Sequence, residues 1–232
     1  ADTEGGIGYM LQQVLGNALT ARGITRTVVT VITQVLVDAA DPAFSNPTKP
    51  IGPFFDRDDA EERMRKRGWR MVEERGRGWR RVVPSPKPQR ILELAAIERL
   101  TGGGLIPIAA GGGGVPVVER NGQLFGVEAV VDKDLASAML ARALGAELLL
   151  ISTGVDHVQT DFATPKARDL HAVTSASLRG LWQSGAFAPG SMGPKIESAL
   201  EFLDAGGRKV IITSPGLITR ALAGQAGTLI TP

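Results

Sequence analysis

Three short stretches of the chain hold the residue types that could do chemistry. The stretch Gly190-Ser191-Met192-Gly193-Pro194-Lys195 ends on a lysine, and its serine and proline are helix-start signals. Backbone N–H donors and an ammonium would then meet at one helix N-terminus, where anions are stabilised. The run Asp132-Lys133-Asp134 opens a second helix with two carboxylates and a lysine. The run Gly111-Gly112-Gly113-Gly114 follows a short apolar strand. Only glycine lets four consecutive amides approach an anion closely. Glycine-rich loops at strand ends, each near a lysine or a carboxylate, suit an anionic substrate. Phosphoryl transfer asks for little beyond positioning and positive charge around the moving group. Each feature also has a plainer reading. The glycines could make a turn, Asp132 or Asp134 could cap a helix, and Lys195 could be an exposed first-turn lysine.

Composition removes many other chemistries. The 232 residues contain no cysteine and only His157 and His171, which excludes disulfides, thiolate nucleophiles and multi-histidine metal centres. A reducing, cytoplasmic setting is the simplest expectation. There is no G-x-x-x-x-G-K-[ST] motif and no G-x-G-x-x-G after a strand. Pro189 stands two residues before Ser191, so that serine is no nucleophile elbow. A net charge of +2 is too small for a general nucleic-acid binder. Arg142 and Glu147 break the longest apolar run, so no membrane span is expected. The first residues, Ala1-Asp2-Thr3-Glu4, have neither an initiator methionine nor a signal-peptide pattern. The sequence therefore reads as if it opened in the middle of something.

The positioning elements follow from periodicity. Apolar residues at Ile7, Met10, Leu11, Val14, Ala18 and Leu19 form a helical face that Gly23 ends. Residues 27–37 are β-branched and almost continuously apolar, which predicts one buried strand. Residues 38–90 break this pattern. Prolines bound both ends, and residues 56–90 carry twelve basic against seven acidic side chains. A charged helix at 58–67 and a hairpin at 68–83 around Gly76 and Gly78 are expected there. Trp69 and Trp79 among arginines fit a packed hairpin face better than a nucleic-acid surface. From Pro88 on, strands and helices alternate. Helices are expected at 91–100, 134–144, 174–184, 193–205 and 215–223, and strands at 105–110, 147–152 and 209–213. A hairpin turns at Asn121-Gly122. This alternation implies an α/β class, a sandwich around a mostly parallel sheet. Segment 38–90 reads as an excursion from the main fold, a small subdomain.

The order of the stretches along the chain resembles the carbamate kinases. The matching blocks are Thr3-Glu4-Gly5-Gly6-Ile7-Gly8-Tyr9-Met10-Leu11-Gln12-Gln13, Asp41-Pro42-Ala43-Phe44 and Asn46-Pro47-Thr48-Lys49-Pro50-Ile51-Gly52-Pro53. They continue with Gly76-Arg77-Gly78-Trp79-Arg80-Arg81-Val82-Val83-Pro84-Ser85-Pro86 and Gly111-Gly112-Gly113-Gly114-Val115-Pro116-Val117. Two more close the series: 126–136 around Asp132-Lys133-Asp134, and Gly190 to Lys195. The Asn46-to-Pro53 block speaks against other amino acid kinases such as acetylglutamate or uridylate kinases.

The resemblance implies an open αβα sandwich with a mostly parallel sheet, one α/β domain from 1–37 and 91–232, and 38–90 as a protruding lid subdomain. It implies Mg²⁺-dependent phosphoryl transfer between ATP and carbamate, giving ADP and carbamoyl phosphate. It implies the reverse direction, making ATP, in arginine fermentation, and a homodimer. It places catalytic roles on Lys49, Lys133, Asp134 and Lys195. Lys133 and Lys195 would stabilise the transferring phosphoryl group, and Asp134 would orient them. Nucleotide contacts would come from Gly111, Gly112, Gly113, Gly114, Thr153, Val155, Asp156, Met192 and Gly193. Family members begin with a strand and a Gly-Gly-Asn loop, followed by a Gly-Asn-Gly-Pro loop, and the chain is expected to start just beyond both. Gly154 stands where the family commonly has Asp, and Gln159 at a commonly aromatic position. The alternative reading is a truncated or degenerate, catalytically silent module for nucleotide binding or dimerisation.

Overall fold

The computed structural model describes residues 1–74, 76–162, 164–165, 167–187 and 192–232. The chain divides into two compact units, Ala1–Lys133 and Asp134–Pro232. The expected lid segment, 38–90, falls inside the first.

The first unit opens with α1 (Asp2–Thr20), which starts earlier than the apolar spacing predicts. Asp2 and Glu4 lie in its first turn, where carboxylates favour the positive end of the helix dipole. The chain then runs through β1 (Val28–Thr30), β2 (Gln34–Val37), β3 (Lys49–Phe55), α2 (Arg57–Arg67), β4 (Arg70–Glu74) and β5 (Gly78–Val83). It continues with β6 (Pro88–Ile91), α3 (Leu94–Gly102), β7 (Ile106–Ile108), β8 (Val115–Arg120) and β9 (Gln123–Gly126). Strands β1 and β7 pair in parallel, and β6-β2-β8-β9 form a second sheet in which β2 and β8 are parallel.

The apolar run 27–37 is thus two strands in two sheets rather than one strand. Thr33 is the reason. It is fully buried, its hydroxyl donates to the Val31 carbonyl at 2.9 Å, and its carbonyl accepts from Val115 N–H at 2.7 Å. The same hydroxyl accepts from Ala110 N–H at 2.8 Å, pinning the break between the two strands. Thr33→Val keeps the shape but strands that N–H. It is expected to cost about 1–3 kcal/mol and to lower the thermal midpoint measurably, as a calorimetric scan would read. An unchanged midpoint would mean the hydroxyl is not what fixes the break.

Strand β6 occupies the position where a helix was expected to begin. Ile91 is buried opposite Val35 of β2, and α3 starts only at Leu94. The Asn121-Gly122 hairpin forms as expected, with φ of 51° and 75°.

Residues 49–83 build a separate three-stranded antiparallel sheet, β3-β5-β4, with α2 beside it. Asp56 caps α2 by accepting from Asp59 N–H at 2.8 Å, and Gly68 ends it in the left-handed conformation. Arginines cover its aromatics. Arg63 lies 4.2 Å from the Phe55 ring centre, Arg77 4.4 Å from Phe54 and Arg81 4.6 Å from Trp69.

The second unit takes up α4 (Lys133–Ala143), whose first residue closes the first unit. Then come β10 (Leu148–Ser152), β11 (Val158–Thr160), β12 (Arg168–Leu170), β13 (Ala172–Thr174), α5 (Ser175–Gln183) and α6 (Gly193–Asp204). The chain ends with β14 (Lys209–Thr213), α7 (Ile218–Leu222) and β15 (Thr228–Thr231). A sheet in the order β10-β14-β15-β13 has parallel pairs at β10–β14 and β13–β15. Helix α6 buries Ile196, Ala199, Leu200, Phe202 and Leu203 in a core shared with Val210 and Ile212 of β14. The α/β class expected from the alternation is the class of the fold. The expected helix at 215–223 is a 3₁₀ turn over Pro215–Leu217 followed by the short α7. No helix among the described residues is long and apolar enough to cross a membrane.

Candidate active site

A lysine–aspartate pair stands in each unit, Lys49 with Asp132 and Lys195 with Asp134, and Lys133 alone separates the two aspartates in sequence.

In the first unit, Lys49 is the first residue of β3 and its Nζ bonds the Oδ2 of Asp132. The Asp132 side chain is 7% exposed and that of Lys49 25%. The pair fastens the small sheet to the segment that leads into α4. From sequence, Asp132 reads only as a helix cap. Its signal, a carboxylate ahead of a helix, did not reveal that a lysine 83 positions earlier would reach it.

The glycine run lies beside the same segment. A Cβ on Gly113 would sit 2.1 Å from the Val131 carbonyl oxygen and 3.3 Å from Lys133 N, and one on Gly114 would sit 2.5 Å from Val35 Cγ2. The glycines therefore let the loop backbone pack directly on residues 131–133. Two of its four amides have hydrogen-bond partners inside the loop: Gly113 N–H donates to the Ala110 carbonyl at 3.0 Å and Gly114 N–H to the Gly111 carbonyl at 3.2 Å. The Glu4 side chain lies against Gly111, and Glu4 accepts from Thr33 N–H at 3.2 Å. Burial pushes the Glu4 carboxyl above its ordinary pKa, and the nearby backbone N–H groups of Thr33 and Gly111 oppose that rise. Glu4 is a residue that the sequence reading did not single out. An isolated glutamate in a helix gives no sign of the loop it supports.

In the second unit, Lys195 is the third residue of α6 and is buried. Its Nζ donates to the Oδ2 of Asp134 at 2.8 Å, with the two side chains only 9% and 7% exposed. A solvent-exposed lysine is thereby excluded. The placement is unfavourable on two counts, since burial penalises the ammonium and the helix dipole is positive at this end. Asp134 offsets both, and an anion brought to the same end would do so as well.

Lys133 heads α4 between the two aspartates. Thr153 follows β10, and its N–H donates to the Thr213 carbonyl at 2.9 Å. Thr213 Oγ1 in turn donates to the Asp156 carbonyl at 3.3 Å. The loop of Thr153, Val155 and Asp156 is thus tied to the carboxyl end of β14, where parallel strands gather ligand-binding loops. Met192 packs against the core at the head of α6, and Gly193 is that helix's first residue. Gly190 and Ser191 lie outside the described residues. Among the described residues no group of three or more His, Asp and Glu side chains is placed to hold a metal ion.

The amino acid kinase family profile matches residues 9–214. The carbamate kinase of Pyrococcus horikoshii is 49% identical over 232 residues, which are 100% of this chain and 74% of that protein. The carbamate kinase of Giardia lamblia bound to citric acid superposes with a TM-score of 0.92 at 40% identity, covering 100% of this chain and 73% of the other. The same enzyme bound to AMP-PNP gives a TM-score of 0.88 at 40% identity, with the same coverage.

Proposed function

The chain belongs to the amino acid kinase family, and we propose that it is a carbamate kinase, passing a phosphoryl group between carbamoyl phosphate and ADP. The observation that carries the reading is the buried Lys195–Asp134 pair in the first turn of α6. A lysine buried at the positive end of a helix is costly for a silent module and useful for a phosphoryl-transfer enzyme. In the ATP-forming direction, a β-phosphate oxygen of ADP bonds to phosphorus as the bond from phosphorus to the carbamate oxygen breaks. Carbamate leaves as an anion. No proton has to be moved, so the residues act by charge and position. Lys195, held by Asp134, neutralises the equatorial oxygens of the moving group, and Lys133 joins it from the head of α4. Mg²⁺ supplies further charge neutralisation on the nucleotide phosphates when bound. The loop of Thr153, Val155 and Asp156, with Met192 and Gly193, holds the nucleotide. The glycines Gly111, Gly112, Gly113 and Gly114 bring the backbone around Lys133 to its working position.

Purified protein given ADP, Mg²⁺ and carbamoyl phosphate is expected to form ATP well above a no-enzyme control. Absence of ATP under these conditions would overturn the reading. Segment 38–90 acts as a lid over carbamoyl phosphate, which it meets through Lys49. Lys49→Ala is therefore expected to raise KM for carbamoyl phosphate at least about tenfold, the effect of one lost charge-assisted contact. KM for ADP should stay nearly constant. A rise confined to ADP would move Lys49 out of this role. Asp132→Asn, which keeps the lysine but loosens it, should give a smaller change of the same kind.

A further inference from the structure

We propose that the second unit carries a separate pocket for a small phosphorylated molecule with an apolar body. A cavity of about 520 Å³ is lined by His157, His171, Lys209 and Arg220, over an apolar floor that includes Ile211 and Leu229. Among the described residues no carboxylate lines it. Neither Lys209 nor Arg220 has a carboxylate partner among the described residues, whereas Arg208, next to Lys209, pairs with Glu147 at 3.2 Å. The two imidazoles meet edge to face with ring centres 4.5 Å apart. Behind them Asp169 stands 3.9 Å from His157 Nδ1 and accepts from Gln159 Nε2 at 2.7 Å, which steadies the first ring.

Ile211 and the core residues Val210 and Ile212 alternate along β14, so the pocket opens on the sheet face opposite α6. It is therefore distinct from the Lys195–Asp134 pair. The ligand class follows from the lining. Two unneutralised cations and two ring N–H donors match a phosphate group, which guanidinium binds in a two-pronged manner. The volume falls in the range of small-molecule sites, about 300–1,000 Å³, and exceeds what bare phosphate fills. The apolar floor takes the remainder of the ligand.

Phenyl phosphate is a suitable probe, with calorimetry on the whole chain in low salt and saturating ADP present. Saturable binding at one site is expected, with affinity at least about tenfold lower in a Lys209→Ala/Arg220→Ala double variant. Both side chains are exposed, so the variant should keep its thermal midpoint and its rate of ATP formation. Inorganic phosphate should bind more weakly than phenyl phosphate. Three results would overturn the proposal: no saturable binding, unchanged affinity in the double variant, or binding seen only when ADP is left out. The last would place the probe in the nucleotide site.

Discussion

Lys195→Ala should lower the turnover for ATP formation by about 10²–10³ or more, the usual effect of removing one preorganised charge from a transition state. The substitution also takes the Lys195 ammonium away from Asp134, whose side chain is 7% exposed. Breaking one partner from a buried pair typically costs about 3–5 kcal/mol, so lost activity could reflect lost fold. Two further variants separate the causes. Asp134→Asn keeps an acceptor for the ammonium but removes its counter-charge, so the thermal midpoint should also fall, while turnover, with Lys195 still in place, falls less than for Lys195→Ala. Lys195→Arg keeps the charge but not the compact geometry, and its turnover should lie between those of alanine and wild type. The measurement is kcat at saturating ADP and carbamoyl phosphate, beside a thermal midpoint for each protein. Wild-type turnover in a folded Lys195→Ala protein would reduce Lys195 to a structural residue.

Long-period features were legible in the sequence, and close approaches were not. The helix α2 and the turn at Asn121-Gly122 could be read because a cap, a charge gradient or a left-handed pair of residues announces them locally. The split of 27–37 could not, because its cause is a threonine hydroxyl that reaches Ala110, 77 positions away. Strands β11, β12 and β13 are three residues each, too short for any period to show. The candidate site shows the same division. Lys195 and Asp134 could be named separately, since each opens a helix. Their 2.8 Å bond spans 61 positions and exists only in the fold. Asp132 was visible as a residue and invisible as the partner of Lys49.

The glycine run is the sharpest case, because its composition suggests an anion cradle and its geometry first serves packing. The protein's own Glu4 side chain already lies against Gly111. Gly113 and Gly114 are glycines for want of room: their absent side chains would overlap the Val131 carbonyl and Val35. Sequence alone cannot tell a glycine that admits a ligand from one that admits another stretch of the same backbone.

Gly113→Ala tests that distinction at the glycine where, among those described, an added Cβ would come closest to another atom. The added methyl would begin 2.1 Å from the Val131 carbonyl oxygen and 2.8 Å from its carbon, far inside any real contact, at a φ of 110° that side chains rarely adopt. Relief requires the loop or residues 131–133 to move, since both obstacles are backbone. Overpacking and strain of this kind together cost about 2–4 kcal/mol. Gly112→Ala is the control, because Gly112 has φ of 68° and open space around its Cβ. It should cost only the left-handed penalty, about 1–2 kcal/mol. Denaturant unfolding of the two variants should therefore rank Gly113→Ala well below Gly112→Ala. Activity should follow the same order more steeply. Asp132 and Lys133 lie on the displaced segment, and a shift of about 1 Å at a positioning group can cost 10²-fold in rate. Equal stability and equal turnover in the two alanine variants would show that the segment yields freely, and that Lys133 does not depend on the glycine run for its place.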